Sequence, residues 1–414
     1  MTDDTPDRSP ILPRRAVYAL GLLTLVNLLN YLDRRTLAAV FPLLQAEWNL
    51  TDAQLGLVAT AYALARALIV LPAGWLADQH GRVWVLCLAS ASWGGLTTLS
   101  GLAGQFWQFL LVRTGAGLAN GANDPADVAF LSGLFPEERR GRALSLYSLG
   151  MYGGSALGFI VGGIVGERWG WRWAFVAPGL LGCLCAVFVG RLREPPRVEH
   201  ARLGDSTTSI CLPELLRAVT APLLVLGFLG GSLGLFANTA LASWMPTFIH
   251  RYHGGSVSQA GLTTGLILLP ASVLGVLLGG ALSDCLLART AAARLLTAVL
   301  GLWAGVSFGL LAVLAPTWSL YLVSAFLSAL FLCSYLTPLA AFVQEVVEPS
   351  WRATAMALAL LVTQVMGGTT AATAVGALSD AVGLRGAMLL PLGAALLGGM
   401  VLFLGAHRYP PGST

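Results

Sequence analysis

The chain has 414 residues, of which 56% are apolar and only 11% charged, with a net charge of +4 and a mean hydropathy of +0.74. An ordinary soluble protein carries roughly a quarter charged residues, so a typical soluble enzyme is excluded. At about 20 apolar residues per membrane-crossing helix, this length holds twelve spans with short connections and almost no independent water-exposed domain.

The first eleven residues are polar and acidic, and Pro13, Arg14 and Arg15 lead into a long apolar run from Ala16. Neither a short apolar core nor a small-residue cleavage site is evident, so this run reads as a retained first span. Charges, prolines and glycine clusters then delimit helices near 16–43, 54–77, 83–103, 107–134, 141–166 and 172–190. A second set follows near 220–249, 258–283, 292–314, 318–346, 353–378 and 384–406. Between the sets lies the polar stretch from Arg191 to Arg217, with the composition of a linker. The expected division is a tail (1–15), a six-helix bundle (16–190), a linker (191–219), a second six-helix bundle (220–406) and a short tail (407–414).

Every basic residue is an arginine, a side chain that scarcely ever loses its proton. With an even number of crossings, sixteen arginines fall on the side of the termini and linker, against Arg168, Arg172, Arg251 and Arg385 on the other. This asymmetry predicts that both termini and the linker are cytoplasmic. The remaining four, Arg34, Arg35, Arg66 and Arg113, fall inside predicted spans.

A repeat runs through the chain. The second span ends in Gly74-Trp-Leu-Ala-Asp78-Gln-His-Gly81-Arg82, the eighth in Gly280-Ala-Leu-Ser-Asp284, and the eleventh in Gly376-Ala-Leu-Ser-Asp380, with a weaker version at Glu167 to Arg172 closing the fifth. Asp78 and Asp284 lie 206 residues apart, and Glu167 and Asp380 lie 213 apart, each about half the chain. The halves therefore read as a duplication with an older three-helix repeat inside each. Glycine permits close helix approach, and an acidic helix end followed by arginine can form a charge network across a short loop. Gly74, Asp78, Gly81, Arg82, Asp284 and Asp380 are accordingly the candidate gating residues.

Gly74-x-x-x-Asp78-x-x-Gly81-Arg82 resembles the loop signature of the major facilitator superfamily, and the resemblance covers nearly the whole chain. Asn30-Tyr31-Leu32-Asp33-Arg34 is similar to a first-helix signature shared by Spinster-like lipid transporters and organic anion:cation symporters. Phe135-Pro136-Glu137-Glu138-Arg139 and Gly170-Trp171-Arg172-Trp173-Ala174-Phe175 resemble the same groups, and the Val343–Val347 segment with Arg352-Ala353 tilts toward the Spinster-like one. The resemblance implies an all-α integral membrane fold of twelve helices in two pseudo-symmetric bundles. It also implies alternating access around a midplane cavity and a place in the bacterial inner membrane.

Polar residues at membrane depth are costly unless they face a cavity or another polar helix. In the first span Asn27, Asn30, Tyr31 and Arg34 form one stripe at i, i+3, i+4 and i+7, with Asp33 beside its end. Neighbours on a helix diverge by about 100°, so Arg34 is expected in the cavity and Arg35 against a helix neighbour or the interface. In the fourth span Arg113, Gly117, Asn120, Asp124 and Asp127 share one face, with Pro125 loosening the backbone. The resembling families commonly carry a glutamate where this chain has Asn120, so Asp124 or Asp127 is the expected substitute. Desolvation and a nearby arginine pull a carboxylate's protonation in opposite directions. Asp33 with Asp124 or Asp127 is therefore expected to exchange protons, while Arg34 and Arg113 attract an anionic substrate. Arg66 is either a substrate contact or a partner for a fourth-span aspartate. Asn238, Trp244, Tyr335 and Gln364 are the candidates for the facing, mainly neutral wall.

The expected function is secondary active transport of an amphipathic, lipid-like or other organic anion, with small carboxylates such as sugar acids as an alternative and a non-transporting sensor as another. An intramembrane enzyme is disfavoured because Ser, His and Asp never come together at recognisable spacing. A nucleotide motor on this chain is excluded because no Gly-rich loop ends in Lys-Ser/Thr. His250 and His253 have no cysteine or carboxylate cluster to complete a metal site. No cofactor and no nucleic-acid partner are expected, since the arginines follow membrane topology. The expected surroundings are a lipid bilayer, protons as coupling ion and a monomeric state.

Overall fold

The computed structural model describes residues 14–194, 221–347 and 352–409. The outer parts of the expected tails (1–13 and 410–414), most of the expected linker (195–220) and the side chain of Asp78 lie outside the described residues. The first half comprises α1 (Arg14–Ala39), α2 (Phe41–Trp48), α3 (Asp52–His80), α4 (Arg82–Gly101), α5 (Phe106–Leu134), α6 (Glu137–Trp169) and α7 (Trp173–Val189). The second comprises α8 (Pro222–Tyr252), α9 (Val257–Leu287), α10 (Ala293–Leu314), α11 (Trp318–Ser334), α12 (Leu336–Val346), α13 (Arg352–Thr363), α14 (Ala371–Val382), α15 (Leu384–Ala387) and α16 (Leu389–His407).

Among the described residues, ten helical segments are long and apolar enough to cross a membrane. The fourth and sixth crossings are α5, which carries Arg113, Asp124 and Asp127, and α7, which has 17 residues. Together they make the twelve-span, two-bundle architecture. The outer surface is apolar, with Leu71, Trp75, Leu111, Trp169 and Leu314 all exposed, as hydrocarbon requires.

Local chemistry explains the breaks. The predicted 16–43 helix divides at Val40, because Pro42 sits in the first turn of α2, where its missing N–H costs nothing. The tenth span breaks at Tyr335 between α11 and α12, and the eleventh contains a π-turn at Gln364–Gly368 between α13 and α14. Such turns interrupt helices at functional positions. Span α1 lies against α6 along Gly150, Gly154 and Gly158, where an added Cβ would fall 2.7, 2.2 and 2.4 Å from the Thr24, Leu28 and Leu32 carbonyl oxygens. A side chain at any of these three would push α1, and the polar stripe it carries, out of place.

The two halves meet along α3 against α14 and α6 against α9. Their shared hydrogen bonds cluster at the end away from the termini. Asp380 Oδ1 and Oδ2 accept from the backbone N–H groups of Asp52 (2.8 Å) and Ala53 (3.0 Å), the first turn of α3. In the pseudo-symmetric position, Glu167 Oε2 accepts from Ser258 N (2.6 Å) and Ser256 Oγ (2.9 Å) at the start of α9. Both receiving helices begin with a capping box, Thr51 with Gln54 and Ser256 with Gln259. Arg251 completes the clasp, its Nη1 and Nη2 donating to Asp52 Oδ2 and Oδ1 at 2.7 and 2.5 Å.

Candidate functional site

The repeated acidic helix ends therefore do different work from the network expected across each loop. Asp380 and Glu167 bind the opposite half instead of the arginine that follows them in sequence. Asp284 pairs with Arg294 (Nη1 to Oδ1, 2.6 Å), and Arg294 Nε also donates to Glu345 Oε1 at 2.9 Å. Arg294 reaches Asp284 from the start of the next span. Arg82 Nη1 donates to Ala129 O at 2.8 Å, and Glu194, which sequence reading missed, accepts from the Arg82 and Val83 amides at 2.8 and 3.0 Å. Gly81 is needed for its backbone, at φ +103°, whereas a Cβ at Gly74 would meet only Pro125 at an ordinary 3.8 Å.

A cavity of about 200 Å³ lies between the halves and runs into the second bundle. Tyr31 and Arg35 of α1, Tyr152 and Ser155 of α6, and Asn238 of α8 line its polar part. Leu241, Met245, Phe248, Leu268, Val313, Ala325 and Met388 are among the apolar side chains of the rest. A smaller cavity of about 40 Å³ is lined by Arg34, Arg35 and Arg113 together with Tyr62, Thr239, Ser243 and Thr369. Arg35 lines both. It meets a helix neighbour, Phe159 of α6, and the two cavities flank the end of α1, so the ~100° between Arg34 and Arg35 still leaves both guanidinium groups facing space.

Of the other intramembrane charges, four form two ion pairs among the described residues. Arg113 and Asp33 are fully buried, with Arg113 Nη1 donating to Asp33 Oδ1 at 2.8 Å. Trp93 Nε1 and Thr97 Oγ1 donate to Asp33 Oδ2 at 3.1 and 3.4 Å. The Arg113 guanidinium lies over the rings of Tyr62 (4.7 Å) and Phe175 (5.1 Å), while its Nε and Nη2 have no hydrogen-bond partner. Arg66 pairs with Asp124 and donates from Nε to Asn120 Oδ1 at 3.2 Å. Asp127 is buried with no cation on it: Tyr147 Oη donates to its Oδ2 at 2.8 Å, and its Oδ1 has no partner. Arg34 and Arg35 form no ion pair among the described residues, and their ring contacts are with Tyr31 and Phe159, both at 5.8 Å.

The remaining candidates separate. Asn27 leaves the stripe to donate from Nδ2 to Tyr147 O at 3.0 Å, and Asn30 is buried with Oδ1 unpartnered. Trp244 packs on Phe41 at 5.3 Å and donates to Ala372 O at 3.1 Å, so it is core packing and not cavity wall. Tyr335 is likewise buried, its hydroxyl 3.5 Å from Gly231 O. Gln364 opens the π-turn and lines neither cavity. Tyr62, Trp93, Tyr147 and Tyr152 escaped sequence reading, although Trp93 and Thr97, four residues apart on α4, share a helix face.

The family model for the Major Facilitator Superfamily matches residues 23–291 and 228–414. Human protein spinster homolog 1 is 29% identical over 389 residues, covering 89% of this chain and 74% of the relative. An MFS-type efflux pump of Mycolicibacterium smegmatis is 29% identical over 423 residues, covering 96% and 94%. A crystal structure of a bacterial homolog of the human lysosomal transporter Spinster, inward-facing and unoccupied, superimposes with a TM-score of 0.87 at 25% identity, covering 96% of this chain and 99% of that one.

Proposed function

The chain belongs to the major facilitator superfamily, whose members are transporters and not enzymes, and on that premise we propose that it moves an amphipathic organic anion across the cytoplasmic membrane by proton-coupled alternating access. The observation that carries this reading is the asymmetry of charge. Arg113 and Arg66 are neutralised by Asp33 and Asp124, while Arg34 and Arg35 line the cavities without a carboxylate. Two uncompensated cations beside an apolar cavity suit a ligand with an anionic head and an apolar body. With the termini cytoplasmic, as the arginine distribution argues, the clasp at the opposite end closes the outer side. The protein acts as a monomer in this reading.

Coupling follows from Arg113. An anion reaching its free Nε and Nη2 from the small cavity competes with Asp33 for the same guanidinium, and Asp33, once released, accepts a proton. Asp127 supplies the second proton site, because it changes protonation without breaking an ion pair. A compact carboxylate is the second reading, favoured by the three arginines around the smaller cavity.

The test is thermal stabilisation of purified protein by lysolipids, alkyl anions and sugar acids at two pH values, with Asp33→Asn alongside, followed by transport in proteoliposomes. Amphipathic anions are expected to stabilise. Asp33→Asn is expected to lose proton-driven accumulation while keeping substrate counterflow, and normal accumulation by that variant rejects the coupling role. Stabilisation by sugar acids alone replaces the lipid-like class with the compact one.

A further inference from the structure

The larger cavity is polar at one end and apolar at the other, and its apolar end is closed by rings. Asn238 Nδ2 lies 3.3 Å from Cys333 Sγ, which lies 3.6 Å from Ser272 Oγ. Arg35 lines the same cavity as Cys333. From this polar rim, lining residues on α8 recur at 238, 241, 242, 245 and 248, one helix face, and those on α11 run back from Cys333 to Tyr321. At ~1.5 Å per residue, the rise from Asn238 to Phe248 is ~15 Å.

Phe248 and Tyr321 form the blind end, stacked at 5.8 Å with 20° between their planes. A second aromatic layer stands behind them: Tyr321 contacts His253 at 4.4 Å and Trp318 at 5.6 Å, the latter also stacked. Phe248 is 1% and Tyr321 3% exposed, so both rings sit inside the bundle and not at its surface. A wall backed by a second aromatic layer is a stiffer stop than single flexible side chains such as Met388 at the same cavity.

We infer that the Phe248–Tyr321 pair sets the length of the apolar chain this transporter accepts, the tail pointing away from Arg35 toward that pair. This deepens the proposed function and rests on its amphipathic reading. A zigzag chain advancing roughly 1.25 Å per carbon fills the ~15 Å with about a dozen carbons.

The experiment measures binding of an n-alkyl phosphate series of increasing chain length to the purified full chain by thermal stabilisation and by competition. Wild type is expected to bind more tightly with each added carbon up to about a dozen, then to lose affinity. Phe248→Ala is expected to move the optimum longer by about three carbons, the depth of the removed ring. Ala325→Leu, which adds bulk to the same lining, is expected to move it shorter, and keeps the question answerable if Phe248→Ala fails to fold. Binding with an optimum that neither variant moves overturns the stop and leaves the amphipathic substrate standing. Failure of every alkyl phosphate to bind wild type overturns the amphipathic reading itself, and the stop with it.

Discussion

Asp33 and Arg113 form an ion pair in which neither side chain touches solvent, and they come from the first and fourth spans, 80 residues apart. Removing one partner strands a buried charge, at a cost of about 3–5 kcal/mol. Arg113→Leu is therefore expected to lower the thermal midpoint in detergent strongly. Adding Asp33→Asn is expected to restore much of the loss, because Trp93 and Thr97 still have an oxygen to donate to. A double variant no more stable than Arg113→Leu alone would show that the pair is not the source of the instability.

The far-end clasp makes a prediction about conformation. Asp380 satisfies two orphan amides of α3, and Glu167 accepts from one amide of α9 and from the Ser256 hydroxyl before it. Losing such a cap costs about 0.5–2 kcal/mol, so Asp380→Ala is expected to change the ratio of far-side-closed to far-side-open molecules by roughly 2- to 30-fold. Spin labels on α3 and α14 report it as a new long-distance population. Glu167→Ala is expected to move the same population, since the two contacts close one gate.

These residues also show where sequence reading stops. The recurrence of Asp78, Asp284, Asp380 and Glu167 is plain in the chain, whereas the capping boxes at Thr51 and Ser256 emerge with the structure. That Asp380 caps the second span, 328 residues away from Asp52, depends on how the bundles dock, which local spacing does not encode. The fold was legible because twelve apolar runs leave little choice in a bilayer, and α5 was recognised despite its charges by their shared face. Trp244, Tyr335 and Asn238 look alike from sequence, as isolated polar groups in apolar runs. Only Asn238 reaches the cavity, because rotation of α8 and the break at Tyr335 turn the other two into the core. Arg35 meets its helix neighbour Phe159 and lines two cavities as well, because helical geometry separates neighbours without saying how many cavities surround a helix end.

Gly81 ends α3 and precedes α4 at φ +103° and ψ +141°, a region other residues essentially do not enter. A Cβ there would meet Glu194 only at 3.5 Å, so the penalty is conformational and not steric. Gly81→Ala is expected to cost about 1–3 kcal/mol, read as a lower thermal midpoint. Gly74→Ala, with open space around it, is expected to leave the midpoint nearly unchanged.

Glu47 lies on α2, outside the spans, and receives Arg172 through two nitrogens at 2.6 and 2.9 Å and Trp171 Nε1 at 2.6 Å. The Arg172 hydrogen bonds, chiefly, hold its carboxyl below the ordinary 4.5. A depressed carboxylate stabilises the fold fully above its unfolded value and loses that contribution as pH falls through its folded value. Thermal stability is therefore expected to drop below about pH 4.5, and Glu47→Gln to flatten that part of the profile. Both side chains are more than a third exposed, so the change is small. An unaltered acid limb in Glu47→Gln assigns the loss to other carboxylates.

Asp127 differs from the other intramembrane carboxylates in what its protonation breaks. Neutralising Asp33 leaves Arg113 unpaired and neutralising Asp124 leaves Arg66 unpaired, each a structural loss as well as a change of charge. Asp127 holds only the Tyr147 hydroxyl, and a protonated carboxyl and a hydroxyl still hydrogen-bond. Asp127→Asn is thus expected to keep the wild-type thermal midpoint while abolishing the proton uptake that accompanies substrate addition, read with a pH dye in proteoliposomes. Tyr147→Phe is expected to shift the pH dependence of transport without abolishing it, since it removes a partner and keeps the acid. Asp124→Asn is expected to do the reverse of Asp127→Asn, lowering the midpoint by freeing Arg66. Proton uptake that survives Asp127→Asn and disappears in Asp124→Asn moves the second proton site to the Arg66 pair.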